Sequence, residues 1–364
     1  MQAQSELIIE CDKLGHNWRF FSELRPACRI VPVLKSDAYG HGLLPAARTL
    51  RRAGVKHMAL FNVEEAQSLR QGGIDCRLWV LEGLLPEDIE AAAALDLTVA
   101  CASFEQLEAM SRHGQSRSYQ WRIHLKIDTG MSRLGFRPEE VPAALALIKQ
   151  SPALRLRGCF SHLAASNQPE CQLTKQQLHN FRQVLGLLPS SCDELHLCAS
   201  NGILHGMMPE LPYARLGIGL YGYSDLPQYA EKLQGAMCLK SRVLSIKEVP
   251  ADCLVSYGGT YKTKAKTRLA VVPLGYADGY PRALGNQGEL LIRGQRCPIR
   301  GRVCMGMLMA DLGQLPEVQC GEEVVLLGKQ GDDCISAAEL AAKINSIPHE
   351  ILCNLGKHPK RSYV

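Results

Sequence analysis

Residues 30–42 read IVPVLKSDAYGHG, and the fold turns on how this stretch is understood. Ile30-Val31-Pro32-Val33-Leu34 is a short apolar run rich in β-branched residues. Ser, Asp and Gly follow it, marking a strand end, and Leu43 to Arg51 then resumes with helical apolar spacing. Lys35 is therefore predicted at the C-terminal end of a strand. An amine held there, partly desolvated, can have its pKa lowered and form an imine with a carbonyl cofactor. The bland alternative is a strand-end lysine whose stem snorkels along apolar surface. Tyr39 and the glycines around it favour the chemical reading.

Working outward, the same alternation repeats. The pattern predicts strands at Ile30–Leu34, Met58–Asn62, Leu78–Leu81, Leu97–Ala100, Trp121–Ile127, Arg155–Ser161, Glu194–Cys198 and Ala214–Tyr221. Helical patterns fall between most of them, at 63–71, 86–94, 104–112, 138–149 and 173–187. Eight strands at this spacing predict an α/β fold, an N-terminal (β/α)8 TIM-type barrel; an open doubly wound sheet is the alternative. A barrel places chemistry just after strand ends. Lys35, Arg133, His162, Ser200 and the Gly217-Ile218 backbone beside Arg215 all fall there. After about residue 235 the texture is β-type with Gly and Pro turns, and helical spacing returns at Ser336 to Asn345. The expected division is residues 1–232 as the barrel and 233–364 as a mostly-β domain, with residues 1–11 available to pair with the latter.

Composition excludes several classes. The chain has 364 residues, enough for a large domain plus a smaller one. Its formal charge is +5 with 21% charged residues, and no basic block exceeds the modest KTKAKTR at 262–268, so neither nucleic acid nor membrane is an expected partner. Fifteen cysteines occur without a CxxC pair, and the N-terminus lacks a signal-peptide pattern. Reduced thiols in the cytoplasm are expected, with no metal site.

Five stretches then carry a family resemblance: VLKSDAYGHG at 33–42, HLKIDTGMSRLGF at 124–136, YARLGIGLYG at 213–222, VSYGGTY at 255–261, and GYADGYPR at 275–282 with GRVCM at 301–305. In this order the chain resembles the bacterial alanine racemases, fold-type III enzymes of pyridoxal 5'-phosphate (PLP). The resemblance implies a PLP-binding barrel whose β domain completes the active site of a partner subunit, in a head-to-tail homodimer. It implies interconversion of L- and D-alanine, supplying D-alanine for peptidoglycan. Lys35 would carry PLP and act as base on one face of the substrate, and Tyr257 of the partner subunit would act on the other. A phenol ordinarily ionises near pH ~10, so it needs help; the resemblance assigns that help to His162 and Arg215.

Arg215 is also implied as the partner of the PLP ring nitrogen. An always-charged guanidinium there disfavours a proton on that nitrogen and weakens the electron sink. Phosphate would meet Tyr39, Ser200, Gly217 and Ile218. The substrate carboxylate would meet Arg133, whose planar fork suits it, and the backbone of Met305. Lys126 matches a lysine that many family members carbamylate to brace that arginine. Tyr276 and Arg282 match the corridor by which substrate arrives.

Three positions depart from the family pattern. Ala199 replaces an asparagine in His196-Leu197-Cys198-Ala199-Ser200-Asn201, Gly306 replaces an acidic residue after CM, and Gly356 stands where a second phosphate-contacting tyrosine is usual. These changes lower polarity and enlarge space, so a racemase preferring serine or another small amino acid is a second reading. A non-catalytic PLP-binding homeostasis protein is a third, opposed by the β domain with VSYGGTY. A decarboxylase on the same architecture would want a cysteine-based site in a different C-terminal motif.

Overall fold

The computed structural model describes residues 5–313, 315, 317–358 and 360–364. The chain forms two compact units, one of residues 14–38 and 46–234, the other of the segment through Lys13 with 39–45 and 235–364.

The first unit is an eight-stranded parallel sheet of Arg29–Pro32, His57–Leu60, Arg77–Val80, Thr98–Cys101, Trp121–Lys126, Leu154–Phe160, Glu194–His196 and Tyr213–Leu216. Each strand pairs with its sequence neighbour, and the first pairs with the eighth through Ile30 opposite Ala214. Closure between the first and second strands comes from a parallel bridge of Val33 with Ala59, where the Leu34 N–H donates to the Ala59 carbonyl at 2.8 Å. Strands covered on both faces need near-continuous apolar or internally satisfied residues. Thr98–Cys101 and Tyr213–Leu216 are accordingly buried throughout.

The surrounding helices start where short polar side chains can cap them. Asn62 accepts from the Glu65 N–H before Val63–Gln71, and Ser103 accepts from the Gln106 N–H before Phe104–Arg117. Their inner faces bury Ala66, Leu69, Leu107 and Met110 against the strands. A helix at Cys11–Leu24, which the sequence pattern left unassigned, precedes the first strand and buries Leu14 and Phe21.

One strand expectation is corrected. Ala214–Tyr221 is not a single strand: the extended segment stops at Leu216, and Ile218–Tyr221 is a 3-10 turn. Phe21 packs so close to Gly219 that a β-carbon there would lie 2.6 Å from its ring, so the turn carries glycine at that place.

The second unit is built on a seven-stranded sheet ordered Gln295–Pro298, Glu289–Ile292, Glu323–Gln330, Met237–Arg242, Ser5–Ile9 and Arg361–Tyr363, with Asp333–Ile335 beside Glu323–Gln330. Ser5–Ile9 pairs antiparallel with Met237–Arg242, Leu7 opposite Leu239, and parallel with Arg361–Tyr363. Ser245–Val249, Thr267–Val272 and Leu308–Asp311 form a smaller antiparallel sheet. Two helices, Ala337–Lys343 and Pro348–Leu355, belong to this unit; the second was not expected and starts with proline, whose missing N–H costs nothing in a first turn. Tyr39–Pro45 also packs here. A β-carbon on Gly356 would lie 2.2 Å from the Gly40 α-carbon, so this backbone leaves no room for a side chain at Gly356.

Candidate active site

Lys35 follows the first barrel strand and opens an unusual turn. Ser36, Asp37, Ala38 and Tyr39 all have φ between 53° and 55°, one turn of left-handed helix in non-glycine residues. Each such residue costs roughly 1–2 kcal/mol, so the surroundings must hold it. Glu65 does part of this. One carboxylate oxygen accepts from the Ser36 N–H at 2.6 Å and the other from the Phe61 N–H at 2.8 Å. Burial raises the Glu65 pKa against the lowering effect of those bonds. The Lys35 ammonium lies 5.9 Å over the Phe61 ring. Glu65 was not legible as a site residue because it reads as an ordinary first-turn glutamate of a helix.

Four more expected residues gather at the same ends of later strands. Lys126 ends the fifth strand, buried, with Nζ 4.5 Å from the Phe160 ring centre. Burial, then the charges of Arg215 and Arg133, pull its pKa down to about 7. Arg133 lies on the following loop, exposed, and Asp128 shapes that loop by accepting the N–H groups of Gly130, Met131, Ser132 and Arg133 at 2.9–3.1 Å. Although burial opposes it, these four bonds hold Asp128 below the ordinary carboxylate range.

Arg215 is buried on the eighth strand, 3% exposed. Its Nη2 donates to the carbonyls of Ser161 at 2.8 Å and Leu197 at 2.9 Å, and to His162 Nδ1 at 3.2 Å; its Nη1 donates to His196 Nδ1. A guanidinium only donates, so His162 Nδ1 is an acceptor and the ring proton sits on Nε2. Burial drives the His162 pKa well below its ordinary value, and the positive charges of Arg215, Lys126, Arg133 and Lys35 push the same way. His162 is thus a neutral donor with the cations Arg215, Arg133 and Lys35 around it.

Ser200 begins the short helix Ser200–Leu204, and its hydroxyl accepts from the Gly219 N–H at 3.0 Å. The buried N–H groups of Gly217 and Ile218 head the 3-10 turn, and neither has an acceptor among the described residues. Two adjacent unclaimed amides beside a hydroxyl suit an anion such as a phosphate. With Lys35 to hold a carbonyl and Arg215 to face a ring nitrogen, the barrel residues fit PLP.

The remaining expected residues lie in the other unit. Tyr39 is buried there, its ring 5.6 Å from that of His349. Tyr257 opens a 3-10 turn and is 72% exposed; Met305 is 62% exposed. They line one open surface cavity of about 690 Å³ with Ser256, Cys304, Gly306 and Met307. The Tyr276 N–H donates to the Cys304 carbonyl at 3.1 Å and the Ala277 N–H to the Met305 carbonyl at 2.9 Å, joining GYADGY to the CMGM loop. Arg282 starts the next 3-10 turn. A β-carbon on Gly306 would meet nothing within 4 Å, so that position is open space. The barrel residues are therefore brought together in one unit, while Tyr39, Tyr257, Tyr276, Arg282 and Met305 are placed in the second.

Residues 9–225 match the family described as "Alanine racemase, N-terminal domain" and residues 236–363 match "Alanine racemase, C-terminal domain". The chain belongs to the alanine racemase family. It is 37% identical over 341 residues to the alanine racemase of Halothermothrix orenii, covering 92% of this chain and 90% of that protein. Among solved structures, the alanine racemase of a D-cycloserine-producing Streptomyces lavendulae superposes with a TM-score of 0.92 at 30% identity, over 100% of this chain and 98% of that one. The alanine racemase of Bartonella henselae, with covalently bound pyridoxal phosphate, gives 0.90 at 27% identity over 100% of both chains. An alanine racemase barrel and β domain account for both units of the fold.

Proposed function

We propose that this chain is a PLP-dependent amino acid racemase interconverting L- and D-alanine, the reaction that supplies D-alanine for peptidoglycan. The observation that carries the reading is the buried Arg215, held by three carbonyls and two imidazoles beside the unclaimed amides of Gly217 and Ile218. When bound, PLP delocalises the electron pair left at the substrate α-carbon and so makes its proton removable.

The chain's own residues supply the rest. Lys35 Nζ holds the cofactor aldehyde and, once released by substrate, takes or returns the α-proton on one face. Tyr257 of the partner subunit does so on the other. His162 offers its Nε2–H to that phenol's oxygen, stabilising the phenolate, while its Nδ1 stays fixed on Arg215. Arg133 grips the substrate carboxylate with the backbone of the partner subunit's Met305. Ser200, Tyr39 and the two amides receive the phosphate, and Tyr276 and Arg282 line the substrate corridor.

Lys126 supports a modification. With its pKa near 7 it is substantially neutral at physiological pH, and the free amine can add to carbon dioxide, forming an N–C bond and releasing one proton to water. The resulting carbamate would place a negative charge beside Arg133. The exposure of Tyr257 and Met305 supports a head-to-tail homodimer in which each β domain covers the partner's barrel. All fifteen cysteines are free thiols, consistent with a cytoplasmic location. Among the described residues no helix is long and apolar enough to cross a membrane.

The open space at Gly306 favours one further reading, activity on serine or another small polar amino acid. Borohydride reduction of the yellow protein should fix the cofactor to Lys35. In deuterated water, deuterium should enter the α-position of both alanine enantiomers faster than of serine. A protein that stays colourless with PLP would overturn the racemase reading; faster exchange of serine would overturn alanine as the substrate.

A further inference from the structure

Arg215 is one end of a buried chain that runs through the barrel interior. Its Nη1 meets His196 Nδ1; His196 Nε2 lies 3.1 Å from His124 Nδ1; His124 Nε2 lies 2.7 Å from the Glu194 carboxylate. His196 is fully buried, and His124 and Glu194 are each 2% exposed. Trp79 stacks on one side of His196 at 4.7 Å and 18°, Phe160 on the other at 4.6 Å and 16°, and Trp79 meets His124 edge-on at 4.7 Å. The imidazole planes are therefore clamped by packing.

The direction of every bond follows from the two ends. Because the guanidinium only donates, His196 Nδ1 accepts and its proton sits on Nε2. That proton is given to His124 Nδ1, which leaves the His124 proton on Nε2, given in turn to Glu194. Burial, reinforced for His196 by the charge of Arg215, keeps both rings neutral even with Glu194 beside His124. The other groups facing the chain are His162 at Arg215, Lys126 across the Phe160 ring from His196, and Arg157, Arg77 and His57 around Glu194, with Arg157 Nη2 at 3.5 Å and Arg77 Nη1 at 3.7 Å.

We propose that Glu194, His124 and His196 are positioning residues: the carboxylate locks both imidazoles in their Nε2–H tautomers, so that His196 presents a fixed acceptor which orients Arg215. The inference rests on the reading above, in which Arg215 faces the cofactor ring. Its physical sense is that a carboxylate placed directly on Arg215 would cancel the guanidinium's field at the ring. Two neutral imidazoles transmit orientation and polarisation across the barrel without supplying a full negative charge at that point.

The test is long-range proton–nitrogen NMR on protein labelled with 15N-histidine, with and without PLP, the two rings assigned by their loss in His124→Asn and His196→Asn. Both should be Nε2–H tautomers, unchanged from about pH 6 to about pH 9. Glu194→Met should disturb at least one tautomer and lower kcat about tenfold or more while KM for alanine moves by less than about threefold. Glu194→Gln, which keeps an acceptor oxygen, should restore the tautomers and most of the turnover. An Nδ1–H or imidazolium form of either ring in the wild type overturns the proposal, as does Glu194→Met with wild-type turnover. Failure of borohydride to trap PLP on Lys35 would instead overturn the racemase reading and leave the tautomer result standing.

Discussion

The barrel interior and the exposed face of the β unit hold the two halves of the proposed chemistry in opposite physical states. Arg215 is 3% exposed and bonded to three carbonyls and two imidazoles, whereas Tyr257 is 72% exposed on an open cavity. In the barrel, electrostatics are set when the chain folds: both terminal nitrogens of Arg215 have fixed acceptors. On the β unit, the phenol is held by backbone alone, through a turn whose Ser256 donates to the Arg302 carbonyl at 2.7 Å. The lesson is that function and stability should be coupled in the first region and separable in the second.

That contrast breaks first at Arg215. Arg215→Met would leave the Ser161 and Leu197 carbonyls and two ring nitrogens without a donor. Stability should fall by about 3 kcal/mol or more in urea unfolding, and turnover by at least about a hundredfold. Tyr257→Phe should show the reverse partition: turnover lower by about 10²–10⁴-fold, with the urea midpoint unmoved because the change keeps the ring and removes only a hydroxyl that is exposed on its own chain. A clear drop in its midpoint would show that the phenol is structural and would remove the contrast.

Lys126 sharpens it. Its folded pKa of about 7 lies below its ordinary 10.5, so the unfolded chain binds the extra proton between those values. Stability contributed by this residue therefore rises with pH from about 7 to about 10.5 and is at its poorest, and level, below about 7. Measured as wild type minus Lys126→Met, the difference should follow that curve in carbon-dioxide-free buffer. It should flatten with added bicarbonate if the lysine is carbamylated.

Two smaller effects complete the series. Asp128→Asn replaces a carboxylate that accepts four N–H groups, so the Arg133 loop should loosen, raising KM for alanine several-fold at a cost of about 1–2 kcal/mol in stability. Gly306→Asp enters open space, so stability should change by less than about 0.5 kcal/mol. The readout there is the ratio of alanine to serine turnover, which a carboxylate at that place should alter; an unchanged ratio would place Gly306 outside substrate selection.

Much of the barrel was legible because parallel strands buried on both faces leave short apolar runs at regular spacing. The positions of Lys35, His162 and Ser200 followed from one rule, that loops after strand ends carry chemistry. The eighth strand was read too long because RLGIGLYG is apolar enough to extend, and its close packing of Gly219 on the distant Phe21 ring is a tertiary contact. Glu65 was missed because the partner that ties it to the Lys35 turn, the Ser36 N–H, is a backbone group distant in sequence. The Glu194–His124–His196 chain did leave a signal: Glu194 and His196, His124 and Lys126, and Tyr213 and Arg215 are each two apart on one strand and so share a face. Polar residues at alternate positions of three strands mark a polar layer inside the barrel.

By itself the sequence determined the order of the barrel strands and of most helices between them, the strand-end lysine and the motifs that place this chain among the alanine racemases, because those depend on local propensity and on residues close along the chain. Tertiary structure alone decided which ring nitrogen of each histidine carries the proton, which carboxylate braces the left-handed turn at Lys35, and that Lys126 loses its proton near neutrality. Those properties are set by burial and by charges contributed from different strands, and no single stretch of sequence contains both partners.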